Sequence, residues 1–211
     1  MACELQSSAA ERKRRPHMML DASERRAEIV QTARGLYEEK GLAHTTIQDI
    51  TNRMGVARSL FYHYFPDKDA VTTAVLDAYV EDYLEALHYW NENRRVGDID
   101  HALRSLTHLL RTALFEKDAF RAALASRENA ALYIEFINRV AEQTAQYLID
   151  STVRDYSQLH EVRINHLYET FYLLIVGIIS YTRRHPEVPD EVVCDLIAQT
   201  LHMDRNVTAK P

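Results

Sequence analysis

The chain contains few of the residues that interrupt helices. Of its 211 residues, only five are glycine and five are proline. Apolar residues recur at helical spacing along almost the whole sequence. A chain of this length can form two small helical domains with a sizeable core. We therefore expect an all-α protein of about nine helices.

Cysteines and long apolar runs are also scarce. Cys3 and Cys194 lie far apart, which predicts neither a disulfide framework nor a metal knuckle and fits a reducing cytoplasm. No apolar run is long enough to cross a bilayer. The amino terminus has Glu4 and then a basic run, which is not the pattern of a secretory signal. We expect a cytoplasmic protein.

The common catalytic and metal-binding motifs are missing. The sequence has no Gly-x-Ser-x-Gly, no phosphate-binding glycine loop and no Cys-x-x-Cys. His101 and His108 would share a helix face, but two turns apart, which is too far for one ion without further ligands. We expect no catalytic residue, no metal and no cofactor. An enzyme assembled from distant residues of the second domain is the weakest alternative, and turnover of a metabolite would be needed to support it.

Charge is distributed unevenly along the chain. The net charge is −6, but residues 1–68 contain eleven Lys and Arg against nine Asp and Glu. The remaining residues contain 14 Lys and Arg against 22 Asp and Glu. The distribution of charge, more than its sum, indicates where a nucleic acid would bind. The amino-terminal third is therefore the candidate.

Residues 45–68 are predicted to form two short helices joined by a tight turn. Thr46 can cap the first helix, with Asp49 as its partner in a capping box. Gly55 can supply the positive φ that ends this helix, and Pro66 cannot continue the second. This arrangement is typical of a helix-turn-helix unit, whose second helix enters the DNA major groove. An ordinary helical hairpin is the alternative.

The second of these helices has an unusual exposed face. It carries a cation, a hydroxyl, a phenol and an imidazole, namely Arg58, Ser59, Tyr62 and His63. A face that is only solvated would more often carry Glu and Lys. The composition of this face favours DNA binding over the hairpin alternative.

The stretch from about Ser23 to Tyr83 resembles the DNA-binding domain of the TetR family of bacterial transcriptional regulators. The matching segments are Arg-Ala-Glu-Ile-Val in the first helix, Gly41, Thr-Thr-Ile, Asp-Ile, Met-Gly-Val and Phe-Tyr-His-Tyr-Phe-Pro-Asp-Lys. The stretch from Ser23 to Tyr83 as a whole covers roughly a third of the chain. Nothing after Tyr83 is matched by motif.

The resemblance implies a three-helix DNA-binding domain followed by a helical-bundle domain for ligand binding and dimerisation. By position it implies seven DNA contacts: Thr46, Gln48, Arg58, Ser59, Tyr62, His63 and Lys68. Arg58 could pair with guanine, whereas Thr46, Tyr62 and Lys68 would hold phosphates. The sequence departs from the family pattern at Ala57, where a capping Ser or Thr is frequent, and at Leu60, where a small or hydroxylated residue is frequent.

We predict three segments. Residues 1–20 form a disordered basic tail, residues 21–68 the helix-turn-helix domain, and residues 69–211 the ligand-binding and dimerisation domain. The basic cluster at residues 11–15 is either a solvated tail or an arm that reaches the phosphates. Met18 and Met19 leave open a later natural start.

A dimer interface is predicted from the last two helices, expected over residues 159–184 and 189–203. The first is apolar nearly all round, so it must be buried nearly all round. Either a second subunit covers it, or it belongs to a thick monomer core; paired half-sites and the family resemblance favour the dimer. The predicted interface residues are Tyr168, Tyr172, Ile175, Val176, Ile179, Val193, Leu196 and Ile197.

Aromatic residues are frequent in the second domain, and core packing is their default role. Polar side chains among them would suit a pocket for a small organic ligand, which the resemblance also implies. The candidates are Trp90, His108, Tyr133, Phe136, Asn138, Gln143, Tyr168 and Tyr172. The predicted function is that of a ligand-responsive repressor that binds palindromic operator DNA as a homodimer. The alternative is a helical ligand-binding or protein-interaction module without operator reading.

Overall fold

The computed structural model describes residues 21–95, 97–115, 124, 129–158 and 161–203. Over these ranges it contains eight helices of at least seven residues and no strand, which confirms the all-α class. The helices are α1 (Ala22–Lys40), α2 (Ile47–Met54), α3 (Arg58–Tyr64), α4 (Lys68–Asn93), α5 (Ile99–Phe115), α6 (Ala130–Leu148), α7 (Leu167–Arg184) and α8 (Asp190–Thr200). The predicted basic tail, residues 1–20, lies outside the described residues.

Helices α1, α2 and α4 each begin after a residue whose side chain caps the helix. The Asp21 carboxylate accepts a hydrogen bond from the Glu24 amide at the start of α1. The Asp67 carboxylate does the same for the Ala70 amide at the start of α4. Gly41, with φ of 83°, follows α1. These caps satisfy amides that have no partner inside a helix.

Helix α4 connects the two parts of the molecule. Its 26 residues span about 39 Å at 1.5 Å per residue. It buries Val71 and Val75 near its start and Tyr83 and Leu87 further along, all in one continuous core that reaches from Ile29 to Ile179. The predicted division of the chain after residue 68 therefore remains a prediction.

Polar contacts hold α1 along α4. The Tyr37 hydroxyl lies 2.9 Å from the Thr72 hydroxyl, and the Tyr79 hydroxyl donates to Glu38 at 2.5 Å. Arg34 pairs with Asp82 at 2.5 Å. The guanidinium of Arg34 also lies over the Tyr79 ring, 4.2 Å from its centroid. The amino-terminal unit is thus fixed to α4 at several points along one face.

The remaining helices form a bundle in which α7 packs against α6 and α8 packs against α5. A second, smaller core lies between α5, α7 and α8. Helix α6 continues through a π-helical turn, Ile149–Val153, and a short α-helical segment, Arg154–Ser157. No helix in the described residues is both long and apolar enough to cross a membrane.

The predicted helix over residues 159–184 begins later than expected. Residues 161–164 are not helical, and α7 starts only at Leu167, after His166 with φ of 55°. The β-branched residues Val162 and Ile164 have reduced rotamer freedom in a helix, which fits an extended segment. Their partly buried side chains border a cavity instead of continuing the helical stripe.

Candidate nucleic-acid interface and ligand cavity

A complete capping box builds the start of α2. The Thr46 hydroxyl accepts from the Asp49 amide at 3.2 Å, and the Asp49 carboxylate accepts from the Thr46 amide at 2.7 Å. Lys40 pairs with the same carboxylate at 3.0 Å. The hydrogen bonds from Thr46 and Lys40 hold the pKa of Asp49 well below its usual range. Gly55 ends α2 with φ of 69°, in the left-handed region that glycine tolerates best.

Helix α3 is anchored on one side only. The Phe61 side chain is buried and lies beside Phe65, with 5.8 Å between ring centroids. Ala57 provides no side-chain cap, as the sequence predicts. The opposite face is exposed and carries all four predicted contacts of this helix: Arg58, Ser59, Tyr62 and His63.

Arg58 has a phenol as its partner, whereas Arg25, Arg34 and Arg53 of this unit each pair with a carboxylate. The Arg58 Nη2 donates to the Tyr62 hydroxyl at 2.9 Å, and its guanidinium lies 5.6 Å from the centroid of the same ring. Arg53 is neutralised by Glu39 at 2.7 Å. Across the part of the chain that the structure describes, Arg58 has no carboxylate partner. An exposed guanidinium without a counter-charge is available to a base edge or a phosphate.

The two predicted contacts on α2 are exposed as well. Thr46 is at its amino-terminal cap, and the Gln48 amide donates to Asn52 at 2.6 Å. Residues 21–68 contain seven Lys and Arg and seven Asp and Glu, so the cationic excess of the amino-terminal third comes from residues 1–20. The α3 face is therefore a candidate for DNA binding because its side chains are exposed, and not because this unit has a net positive charge.

Lys68 is less available than its position predicts. Its ammonium donates to the Leu42 carbonyl at 2.6 Å, which ties the loop after α1 to the start of α4. Burial lowers the pKa of Lys68. Contact with a phosphate would require this hydrogen bond to be shared or exchanged, so the predicted role of Lys68 remains a prediction.

A cavity of about 180 Å³ lies among the end of α4, helices α5, α7 and α8, the end of α6 and residues 161–164. Its walls are mostly aliphatic, with leucine, isoleucine or valine from each of these elements except α4, which contributes Trp90. Thr144 borders it and donates to the Tyr83 hydroxyl at 3.3 Å. Burial raises the pKa of Tyr83 to about 12, so this phenol is neutral. The cavity is a candidate site for a small organic molecule.

Most of the predicted pocket residues do not border this cavity. Only Trp90 borders the cavity; the others lie elsewhere, namely His108, Tyr133, Phe136, Asn138, Gln143, Tyr168 and Tyr172. His108, Gln143 and Tyr168 are exposed. Phe136 is buried in the main core, and the Tyr172 hydroxyl donates to Asn138 at 3.1 Å. Helical spacing identifies apolar faces, but it does not show which face borders a gap between helices.

Sequence reasoning missed the most polar part of the cavity wall. Arg94, just after α4, borders the cavity with only 7% of its side chain exposed. It pairs with Asp155 at 2.7 Å, and its Nε donates to Asn91 at 2.8 Å. The only signal in the sequence was a cation at the break after a long helix, which is also a common surface pattern.

The predicted dimer residues fall into two groups. Four of them are already buried within the subunit, namely Ile175, Ile179, Val193 and Ile197, so their part in an interface stays a prediction. Tyr172 and Val176 are partly buried, whereas Tyr168 and Leu196 are exposed. The exposed apolar side chains of α7 and α8 that we call the outer face are Tyr168, Leu173, Tyr181, Val192 and Leu196. Of these, the prediction included Tyr168 and Leu196.

The sequence of the amino-terminal unit matches a known family. Residues 29–75, from the middle of α1 into α4, match the model for bacterial regulatory proteins of the tetR family. The HTH-type transcriptional regulator EthR of Mycobacterium tuberculosis is 32% identical over 127 residues. This match covers 58% of the present chain and 59% of EthR, so it spans less than two thirds of that relative.

Solved structures show the same fold over more of the chain. RolR in complex with resorcinol is 18% identical with a TM-score of 0.58, covering 90% of this chain and 95% of RolR. The TetR family repressor AlkX from Dietzia sp. strain DQ12-45-1b is 20% identical with a TM-score of 0.61, covering 84% and 95%. The amino-terminal unit, with its capped α2 and its exposed α3, therefore matches the tetR family of bacterial regulatory proteins over residues 29–75.

Proposed function

We propose that this protein is a dimeric transcriptional repressor that releases its operator when a small organic molecule enters the cavity. One observation carries the proposal: α4 begins at Lys68, directly after the helix-turn-helix unit, and its last turns reach the cavity at Trp90. A single helix thus joins the two sites. Enzymatic activity forms no part of the proposal.

Operator reading is assigned to the exposed face of α3 and the start of α2. The Arg58 guanidinium would pair with a guanine, because its planar fork matches the two acceptors of that base in the major groove. Thr46 and Tyr62 would hold phosphates. Lys68 would do the same if its hydrogen bond to the Leu42 carbonyl is replaced by one to a phosphate. Gln48, Ser59 and His63 supply further donors and acceptors on the same side.

Dimerisation is assigned to α7 and α8. Leu173, Gly177 and Tyr181 recur every four residues along an exposed face of α7, and the space over Gly177 is open within the subunit. Glycine inside a helix costs about 1 kcal/mol relative to alanine, so its presence favours a close approach by another helix. A second copy of the chain would supply that helix, and two reading units in one dimer could engage two half-sites.

Control by ligand is assigned to movement of α4. The contacts of Arg34, Tyr37 and Tyr79 described above fix α1 along α4, so the reading unit would move with this helix. Two reading helices must lie about 34–36 Å apart to enter successive major grooves. A ligand would weaken operator binding if it binds more tightly to a dimer whose reading helices lie at a different separation. RolR, a protein of the same fold, was solved in complex with resorcinol, which supports a small organic ligand for this chain.

Selection from fragmented genomic DNA tests the proposal. The purified full chain should enrich one palindromic sequence, and its affinity for that sequence should fall steeply as salt rises, since phosphate contacts release counterions. The alternative function, a ligand-binding or protein-interaction module, predicts no enriched sequence. Equal retention of all fragments would therefore contradict operator reading.

A further inference from the structure

The cavity wall restricts the size and character of its ligand. An apolar protein cavity of about 150 Å³ can hold benzene. By that comparison, a volume of about 180 Å³ admits a compact molecule of about seven to nine non-hydrogen atoms. The predominantly aliphatic walls favour an apolar chain over an extensively hydroxylated molecule.

A buried charged group borders this apolar space. It is the side chain of Arg94, of which only 7% is exposed. A guanidinium has five N–H donors. Its hydrogen bonds to Asp155 and Asn91 engage Nη2 and Nε, so these described contacts do not account for all five donors. A ligand oxygen beside Arg94 would receive a charge-assisted hydrogen bond in a site shielded from water.

The charges around the cavity argue for a neutral ligand. Arg94 is already balanced by Asp155, and Arg163 on the rim pairs with Glu161 at 2.6 Å. The other two charged lining residues, Arg95 and Asp98, have opposite signs. A carboxylate on the ligand would therefore bring an uncompensated charge into an apolar space, which is costly.

We propose that the cavity takes a neutral, mainly aliphatic molecule with one accepting oxygen, such as a small ketone or ester, and that this oxygen accepts from Arg94. This assignment rests on the proposed function in treating the cavity as the regulatory site. The binding chemistry itself can be tested without DNA, so the two proposals can fail separately.

The test uses three probes of equal chain length: 2-heptanone, heptane and heptanoate. Their Kd values for the full chain at pH 7 are measured by equilibrium partitioning and gas chromatography. Arg94→Met should raise the Kd of 2-heptanone relative to that of heptane roughly tenfold or more, since only the ketone loses a bond to a charged donor. Arg154→Met is the matched control, because Arg154 is exposed beside Asp155 and does not border the cavity. It should leave the ratio unchanged.

A second variant tests the preference for neutral ligands and does not depend on the folding of Arg94→Met. Asp155 is 34% exposed, so Asp155→Asn should fold while leaving the charge of Arg94 unbalanced. It should tighten heptanoate binding about fivefold or more with a smaller change for 2-heptanone. Tighter binding of heptanoate than of 2-heptanone by the wild type would overturn the proposal. So would failure of the wild type to bind any of the probes, or an unchanged ketone-to-heptane ratio in folded Arg94→Met.

Probe binding without any effect on operator affinity has a different meaning. The ligand assignment would then stand, and the proposed regulation would fail. Conversely, operator release by heptanoate alone would support regulation and contradict the neutral ligand.

Discussion

In the proposed function, recognition of the operator bases depends most on Arg58. Its guanidinium is exposed, and its described partner is the Tyr62 phenol rather than a carboxylate. The Tyr62 hydroxyl limits the directions in which the flexible arginine can point, which lowers the entropy lost when it meets a base. Arg53, one helix earlier, is by contrast already neutralised by Glu39.

Arg58→Ala is predicted to weaken binding to the selected operator by about 1–3 kcal/mol and to relax the preference at one base position. Fluorescence anisotropy on the operator and on its single-base variants measures both effects. Arg53→Ala is the matched control and should weaken operator binding less, because Arg53 is already paired with Glu39. An equal loss on operator and random DNA would show that Arg58 touches only phosphate.

Asp49 gives the amino-terminal unit a defined pH response. Hydrogen bonds from Thr46 and Lys40 depress its pKa in the folded state, so its ionised form stabilises the fold above the pKa of an unfolded aspartate, about 3.9. That stabilisation is lost as pH falls toward the lower folded pKa. Asp49→Asn should therefore lower Tm at pH 7, and the difference from the wild type should shrink below about pH 4. A Tm difference that stays constant from pH 7 to pH 3 would contradict this account.

Helices with local capping signals could be predicted well from the sequence. Asp21, Thr46, Gly55 and Asp67 fix the bounds of α1, α2 and α4 through contacts within three residues. The start of α7 has no such signal: His166 provides no side-chain cap, and the apolar residues before it continue the helical pattern. Residues 161–164 are not helical, and they border the cavity, whose other walls come from helices distant in the sequence.

The candidate sites divide in the same way. The exposed face of α3 follows from the spacing around Phe61, because a short helix anchored by one buried ring exposes its other side. The cavity residues come from six separate segments, so no local pattern identifies them. On α7 and α8, apolar residues occupy inner and outer faces alike, and their sequence does not show that Ile175 points inward while Leu173 remains 67% exposed.

Substitutions on the outer face test dimerisation more directly than substitutions at buried positions of α7 and α8. Leu196→Glu should give a monomer, because a carboxylate would otherwise be buried between subunits without a partner. Leu196 is 43% exposed in the subunit, so the fold itself should tolerate the change. Ile134→Glu, at a site 58% exposed on α6, is the matched control and should leave the mass unchanged. Sedimentation of the wild type as a monomer at micromolar concentration would contradict the assigned interface.

The molecule as a whole is acidic, yet it is proposed to bind DNA. Of its net charge of −6, residues 69–211 carry −8 and residues 1–68 carry +2. An acidic second domain would repel phosphates and so favour the orientation in which only α2 and α3 face the duplex. Operator binding should therefore depend on a few local contacts, and small changes in the separation of two reading units should affect it strongly.

In the proposed mechanism, α4 couples ligand binding in the cavity to DNA binding by the reading helices. Coupling between two binding sites is reciprocal. The most direct measurement takes the small molecule that raises Tm most in a screen and titrates it with and without the selected operator. Operator affinity should fall roughly 5- to 150-fold at saturating ligand, as a coupling of about 1–3 kcal/mol requires, and operator should weaken the ligand by the same factor. Identical ligand affinity in the two titrations would mean that the sites are not coupled, and it would contradict the account.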